Sequence, residues 1–257
     1  MIDYFTYIIL IISLIGLVYL FFRYINLFFK INKLENEFSS IVNHTFRTPI
    51  TRILWTTKEL EKELPREEKM DFIKNIINAT NKILGVVDII AGIKKIDNLS
   101  DYYFEAVSIR EITEKSMIKY AEKIREKNLS FQVSSFKDIP MLSVDLKKIS
   151  FVMDTLIENA ICYTPQNGKI IIDCISNRNY LNFYISDTGL GLNFIDKLRI
   201  FSKFYRNKKV IPMNTDGMGL CLYLSRKIMK RHKGEIYAKS KGRNKGSTFF
   251  LILPFKK

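Results

Sequence analysis

The longest apolar run lies at the start of the chain. Residues 4–22, YFTYIILIISLIGLVYLFF, are nineteen positions without a charge. As a helix they would be about 28 Å long, close to the roughly 30 Å hydrocarbon core of a bilayer. The pattern predicts a single-pass membrane anchor. A cleaved signal peptide is the rival reading, but Asp3 is the only charge before the run and no A-x-A site follows it. Arg23, Lys30 and Lys33 come next, so the positive-inside rule predicts an outside N-terminus and a cytoplasmic bulk. With about three residues outside, no extracytoplasmic sensor domain is expected. The patch at Tyr24 to Phe29 is too short to cross again and fits an interfacial continuation of the helix.

Beyond the anchor the apolar spacing becomes helical. Ile31, Leu34, Phe38, Ile41, Val42 and Ile53 predict a helix over about 31–64. Pro65 marks a turn, and Arg66-Glu67-Glu68 opens a second helix. Its stripe, Met70, Ile73, Ile77, Thr80, Leu84, Val87 and Ala91, steps by three and four, and Ile76, Ile83 and Ile90 widen it. One hairpin cannot bury stripes this broad, whereas two copies can, as a dimeric four-helix bundle.

From about residue 100 the pattern changes again. Ser108 to Glu126 predicts an amphipathic helix, and Leu129 to Val133 a short strand. Asp145 is placed to cap a helix running to Tyr163. Lys169 to Ser176 and Tyr180 to Asp187 alternate like paired strands, another helix starts near Gly217, and two strands flank Gly242–Gly246. This predicts an antiparallel sheet faced by helices. Glycine placement agrees: positions 17–167 hold only Gly85 and Gly92, and 168–257 hold eight, so functional loops belong to the last part. The expected domains are an anchor and juxtamembrane helix at 1–30, a helical hairpin at 31–98, and an α/β domain at 99–257.

Composition narrows the chemistry. The 257 residues carry 41 Lys+Arg against 26 Asp+Glu and are 47% apolar, which excludes a disordered tail. Cys162, Cys174 and Cys221 form no C-x-x-C pair, and there are two histidines, so a disulfide scaffold and a zinc site are not expected. The basic residues are scattered and accompany no nucleic-acid-binding motif; no direct nucleic-acid contact is expected. Phosphate ligands, acidic proteins and an anionic membrane face are other sources of demand for positive charge.

Four segments carry candidate chemistry. Asp187-Thr188-Gly189-Leu190-Gly191 puts a carboxylate at a strand end, where it can accept from an adenine amine, and two glycines that admit close backbone approach. Alone, this is also the sequence of an ordinary turn. Asp216-Gly217-Met218-Gly219-Leu220 opens a helix whose N-terminus suits phosphate oxygens. Gly246-Ser247-Thr248-Phe249 precedes the last strand. Upstream, Asn159 in Leu156-Ile157-Glu158-Asn159-Ala160, followed by Tyr163-Thr164-Pro165, offers a neutral oxygen that can ligate Mg²⁺ bridging phosphates.

In this order and spacing, the four segments resemble the ATP-binding domain of sensor histidine kinases of two-component systems. Phe201-Ser202-Lys203-Phe204-Tyr205-Arg206 resembles the family's F box, and Arg206 to Asp216 its mobile lid. Phe38 to Pro49, FSSIVNHTFRTP, resembles its H box, with His44 as phosphoryl acceptor and Thr48 one turn on. At about 100° per residue the apolar stripe centres roughly 120° from His44, which places the imidazole on the flank of the bundle. Pro49 cannot bond to the Thr45 carbonyl, so a bend is expected there. The resemblance spans about residues 34–257.

The resemblance implies an α+β protein: a transmembrane helix, a hairpin forming a dimeric four-helix bundle, and an α/β sandwich ATP-binding domain of the GHKL (Bergerat) type. It implies ATP and Mg²⁺ as ligands, with Asn159, Tyr163, Asp187, Gly189, Gly191, Arg206, Gly217, Gly219 and Thr248 at the nucleotide and Asn159 at the metal. A homodimer, a cytoplasmic response regulator, the membrane and a partner membrane sensor or transporter are the implied partners. Four positions depart from the pattern. Thr45 replaces the acid after the histidine, Cys162 replaces a phosphate-side Lys, and Thr155 and Thr215 replace an Asn and a Gly. They leave two alternatives open: a slow kinase acting mainly as a phosphatase of its regulator, and an ATP-gated scaffold.

Overall fold

The computed structural model describes residues 16, 19–23, 43, 45–63, 65–95, 101–134, 136, 139–207 and 218–255. The chain divides into two compact units, Met1–Thr48 and Pro49–Lys257. In the first, Gly16, residues 19–23, Asn43 and residues 45–48 are helical. Most of the expected span at 4–22 lies outside the described residues, and among those described no helix is long and apolar enough to cross a membrane.

The second unit opens with helical residues 49–60 (α1), and Pro65 leads into the long helix α2, Arg66–Lys95. Pro is well suited to this entry because its missing N–H costs nothing at a helix start. Glu67 and Glu68 in the first turn complement the helix dipole. The helix is apolar on two faces. Ala79 and Val86 are buried, whereas Met70, Ile73, Ile77, Leu84 and Val87 of the expected stripe are each 43–55% exposed. Ile50, Leu54 and Trp55 of α1 are exposed as well.

The rest is an α/β sandwich. Its order is β1 (Phe104–Val107), α3 (Ile109–Glu126), β2 (Ser130–Val133), β3 (Leu142–Asp145), α4 (Leu146–Tyr163), β4 (Lys169–Ser176), β5 (Tyr180–Asp187), α5 (Phe194–Arg199), α6 (Cys221–Arg231), β6 (Glu235–Lys239) and β7 (Ser247–Pro254). Strands β1 and β3 pair alone; the others form a sheet in the order β2-β4-β5-β7-β6. Against the expectation of an antiparallel sheet, β2 runs parallel to β4. The connection between them passes through β3 and α4, and only a crossover of that length can return a strand in the same direction.

Strand alternation decides the layers. Leu181, Phe183, Ile185 and Asp187 of β5, and Ser247, Phe249, Leu251 and Leu253 of β7, point to the buried face. Helix α4 meets that face with Ile149, Val152, Met153, Leu156, Ile157, Ala160 and Ile161, spaced for one side of a helix and all buried. Buried residues of α3 and α6 complete the same core. Each Ile or Leu sequestered in this way contributes about 1.5–3 kcal/mol.

Candidate functional site

Helix α4 is built to present its C-terminal end. Asp145 caps its start, as expected, with the carboxylate accepting from the Lys148 amide at 2.9 Å. At the other end, the Lys127 ammonium reaches across from the end of α3 and donates to the carbonyls of Ile161 (2.8 Å), Cys162 (2.8 Å) and Thr164 (3.1 Å). A cation there satisfies the orphan acceptors and the negative end of the dipole. Asn159 lies one turn earlier, half-buried, with no hydrogen-bond partner for its amide among the described residues. Tyr163 ends the helix, and its carbonyl accepts from the Leu190 amide.

That bond draws the loop after β5 onto α4. Asp187 is 8% exposed, and its Oδ1 accepts from the amides of Gly189 (2.8 Å) and Ser247 (3.2 Å). Among the described residues, none donates to Oδ2. Burial outweighs these two amide bonds and pushes the carboxyl pKa up to about 6. Gly189 sits so close to the Tyr163 carbonyl that any side chain would collide with it and with Asp187. Gly191 packs beside the turn between β6 and β7, where the Leu192 amide donates to Ser240 Oγ.

Thr248 stands apart from these residues. Its hydroxyl pairs with Ser186 Oγ at 2.9 Å on the face of the sheet away from α4. The residue in register with Asp187 is Ser247, itself buried. The period of two along β7 forces this choice, because only one of two neighbouring hydroxyl residues can face the core. Sequence reasoning missed Ser247, although counting back from the buried Phe249 finds it.

The second glycine segment falls partly outside the described residues, which exclude Gly217, Thr215 and Asp216. Gly219 is described, with φ +67° and its carbonyl accepting from the Phe204 amide at 3.0 Å. A side chain there would press on the Tyr205 carbonyl oxygen at 2.8 Å, so Gly219 lets the start of α6 lie against the Phe204–Arg206 segment. Arg206 is half-buried there, and its charge is felt at the Cys162 thiol, whose pKa is nonetheless raised because burial is the larger influence.

His44 lies outside the described residues. Among its neighbours, Thr48 is exposed and Thr45 is 7% exposed. The residue at the position of the family's acid is thus turned inward. Among the described residues no group of three or more His, Cys, Asp or Glu could hold a metal ion.

A buried carboxylate with one oxygen that accepts from no described residue, a glycine that admits backbone contact and a half-buried Asn converge at one end of a helix-covered sheet. This is the architecture of an α/β nucleotide-binding domain. Residues 144–257 match the family of histidine kinase-, DNA gyrase B- and HSP90-like ATPases. Over most of its length the chain matches sensor histidine kinases. It is 28% identical over 241 residues to sensor histidine kinase WalK of Bacillus subtilis, covering 88% of this chain and 38% of WalK. The chain thus spans well under half the length of that relative. The catalytic domain of histidine kinase ThkA superposes with a TM-score of 0.53 at 27% identity, covering 59% of this chain and 97% of that one. ThkA in complex with response regulator protein TrrA gives a TM-score of 0.60 at 26% identity, covering 85% and 61%.

Proposed function

We propose that the protein is an ATP-dependent histidine kinase of a two-component system, and the buried Asp187 carboxylate with its free oxygen beside α4 carries this reading. Asp187 Oδ2 accepts from the adenine amine, Gly189 lets the loop backbone close on the base, Arg206 and the Gly219 amide face the phosphates, and Gly217, outside the described residues, belongs to the same phosphate-binding segment. Asn159 would hold Mg²⁺, which supplies charge neutralisation between phosphate groups when bound. The His44 imidazole nitrogen attacks the γ-phosphorus, the bond to the bridging oxygen breaks and ADP leaves; the N–P bond then breaks as the phosphoryl passes to an aspartate oxygen of a response regulator, which restores the free imidazole. Thr48, exposed one turn from His44, orients a water for dephosphorylation of the regulator.

The organisation we propose is a membrane anchor at 1–30 with the N-terminus outside, a phosphoacceptor and dimerisation hairpin at 31–98, and a cytoplasmic ATP-binding domain at 99–257. The hairpin is homodimeric. The exposed Met70/Ile73/Ile77/Leu84/Val87 stripe supports this, since a solvated monomer gains nothing from it. The complex of ThkA with its regulator supports a response regulator as partner. Input from a partner membrane sensor or transporter suits a chain anchored by residues 4–22.

Transfer is the direct test. The full chain labelled with [γ-³²P]ATP should lose label as an added cognate regulator gains it, and a regulator lacking its acceptor aspartate should gain none. No transfer to any regulator, despite stable labelling, would contradict the two-component reading.

A further inference from the structure

The net charge of the chain is concentrated at one end. Residues 1–196 hold 24 basic and 24 acidic side chains, whereas residues 197–257 hold 17 and 2, so the whole +15 sits in the last 61 positions. Part of this charge frames an exposed apolar ridge. On α5, Phe194 is 72%, Ile195 57% and Leu198 65% exposed. The only acid of that helix is turned inward: Asp196 is 3% exposed and accepts from Tyr205 Oη (2.8 Å), Asn207 Nδ2 (2.9 Å) and the Asn193 amide (3.1 Å). The outward charges of α5 are then Lys197 and Arg199 alone.

The β6–β7 turn adds three more. Its Asn244 amide donates to the Leu190 carbonyl at 2.7 Å, and Ser240 Oγ accepts from the Leu192 amide at 3.0 Å, which pins the turn beside the entry to α5. Lys241, Arg243 and Lys245 are all exposed on it. No acid is exposed between residues 190 and 207 or between 236 and 246.

We propose that α5 and the β6–β7 turn form a docking surface for an anionic lipid bilayer. Three apolar side chains enter the headgroup region while five cations meet lipid phosphates. Charge complementarity favours lipid over a second copy: the hairpin at 31–98 holds 11 basic and 10 acidic residues and offers no negative field. The proposal draws on the membrane anchorage proposed above, which would hold this surface at high effective concentration beside lipid.

The test is hydrogen exchange on the full chain in nanodiscs of phosphatidylcholine, with and without phosphatidylglycerol. Exchange over residues 190–200 and 240–246 should slow roughly tenfold in the anionic discs alone, and Lys241→Glu with Arg243→Glu should erase the difference. Strands β4, β5 and β7 should exchange alike throughout, which shows the variant folded. Equal exchange in both lipids overturns the proposal, as does protection that persists in neutral detergent and rises with protein concentration, since that assigns the surface to a second copy. Alkaline carbonate checks the anchor separately. If it extracts the chain, the anchor is wrong, and flotation with vesicles of the same lipids decides the surface: flotation with the anionic lipid alone upholds it, and none with either overturns it.

Discussion

Asp187 shows what burial does to a carboxyl group. Its carboxyl stays protonated to a higher pH than an exposed one, with a pKa pushed up to about 6. Between about pH 4 and 6 the folded state therefore binds more protons than the unfolded chain, and ionisation at neutral pH costs stability. Asp187→Asn is expected to leave the apo protein at pH 7 as stable, or to raise its stability by up to about 2 kcal/mol on chemical denaturation. The same substitution should weaken ATP binding roughly tenfold or more, because a charge-assisted hydrogen bond is lost. Wild-type affinity should fall as pH drops through about 6, and calorimetry on the variant should show that dependence flattened. Motif spacing singles out Asp187, Gly189, Gly191 and Asn159 as candidates. It could not separate Ser247 from Thr248, which differ only in the face of β7 they occupy, nor show that Thr45 is buried. Thr45→Glu would place a carboxylate in a 7% exposed position, so a lower Tm is expected from differential scanning calorimetry.

Helices and long strands were readable because their periods run over eight or more residues. Strands β1 and β3 are held by pairing with each other rather than by local sequence, and the six-residue α5 is too short to show a period. Two tertiary contacts of the elements had no sequence signal. One is Lys127, which closes the C-terminus of α4. Lys127→Met should free three carbonyls and lower stability by about 2 kcal/mol, read as a Tm fall of roughly 4–8 °C. The other is His232 at the end of α6. Its Nε2 accepts from the Asp145 amide at 3.0 Å, and its Nδ1 donates to the Ile228 carbonyl at 2.9 Å. Tyr102 and Phe104 flank the ring, and burial lowers its pKa. The unfolded chain thus takes a proton that the folded one resists, so stability should fall as pH drops below about 6.5. Asp187 acts in the opposite sense between about pH 4 and 6, so acid denaturation of Asp187→Asn should be the steeper of the two.

At the scale of the whole molecule, one chain leaves a heptad stripe in solvent along α2. The dimeric bundle expected from the sequence would cover it, and light scattering on Ile77→Glu with Leu84→Glu should show a monomer where the unmodified chain is a dimer. Like charges facing each other across a bundle core oppose association by several kcal/mol. The α/β domain carries its own core and should retain nucleotide binding in that variant.

The reaction proposed for this chain moves a phosphoryl group from ATP onto His44. The most direct measurement is incubation of the full chain with [γ-³²P]ATP and Mg²⁺, followed by acid and base treatment of the labelled protein. The expected result is label that acid removes and base spares, absent in His44→Gln and reduced in Asp187→Asn. Acid-stable label, or label undiminished in His44→Gln, would contradict the account.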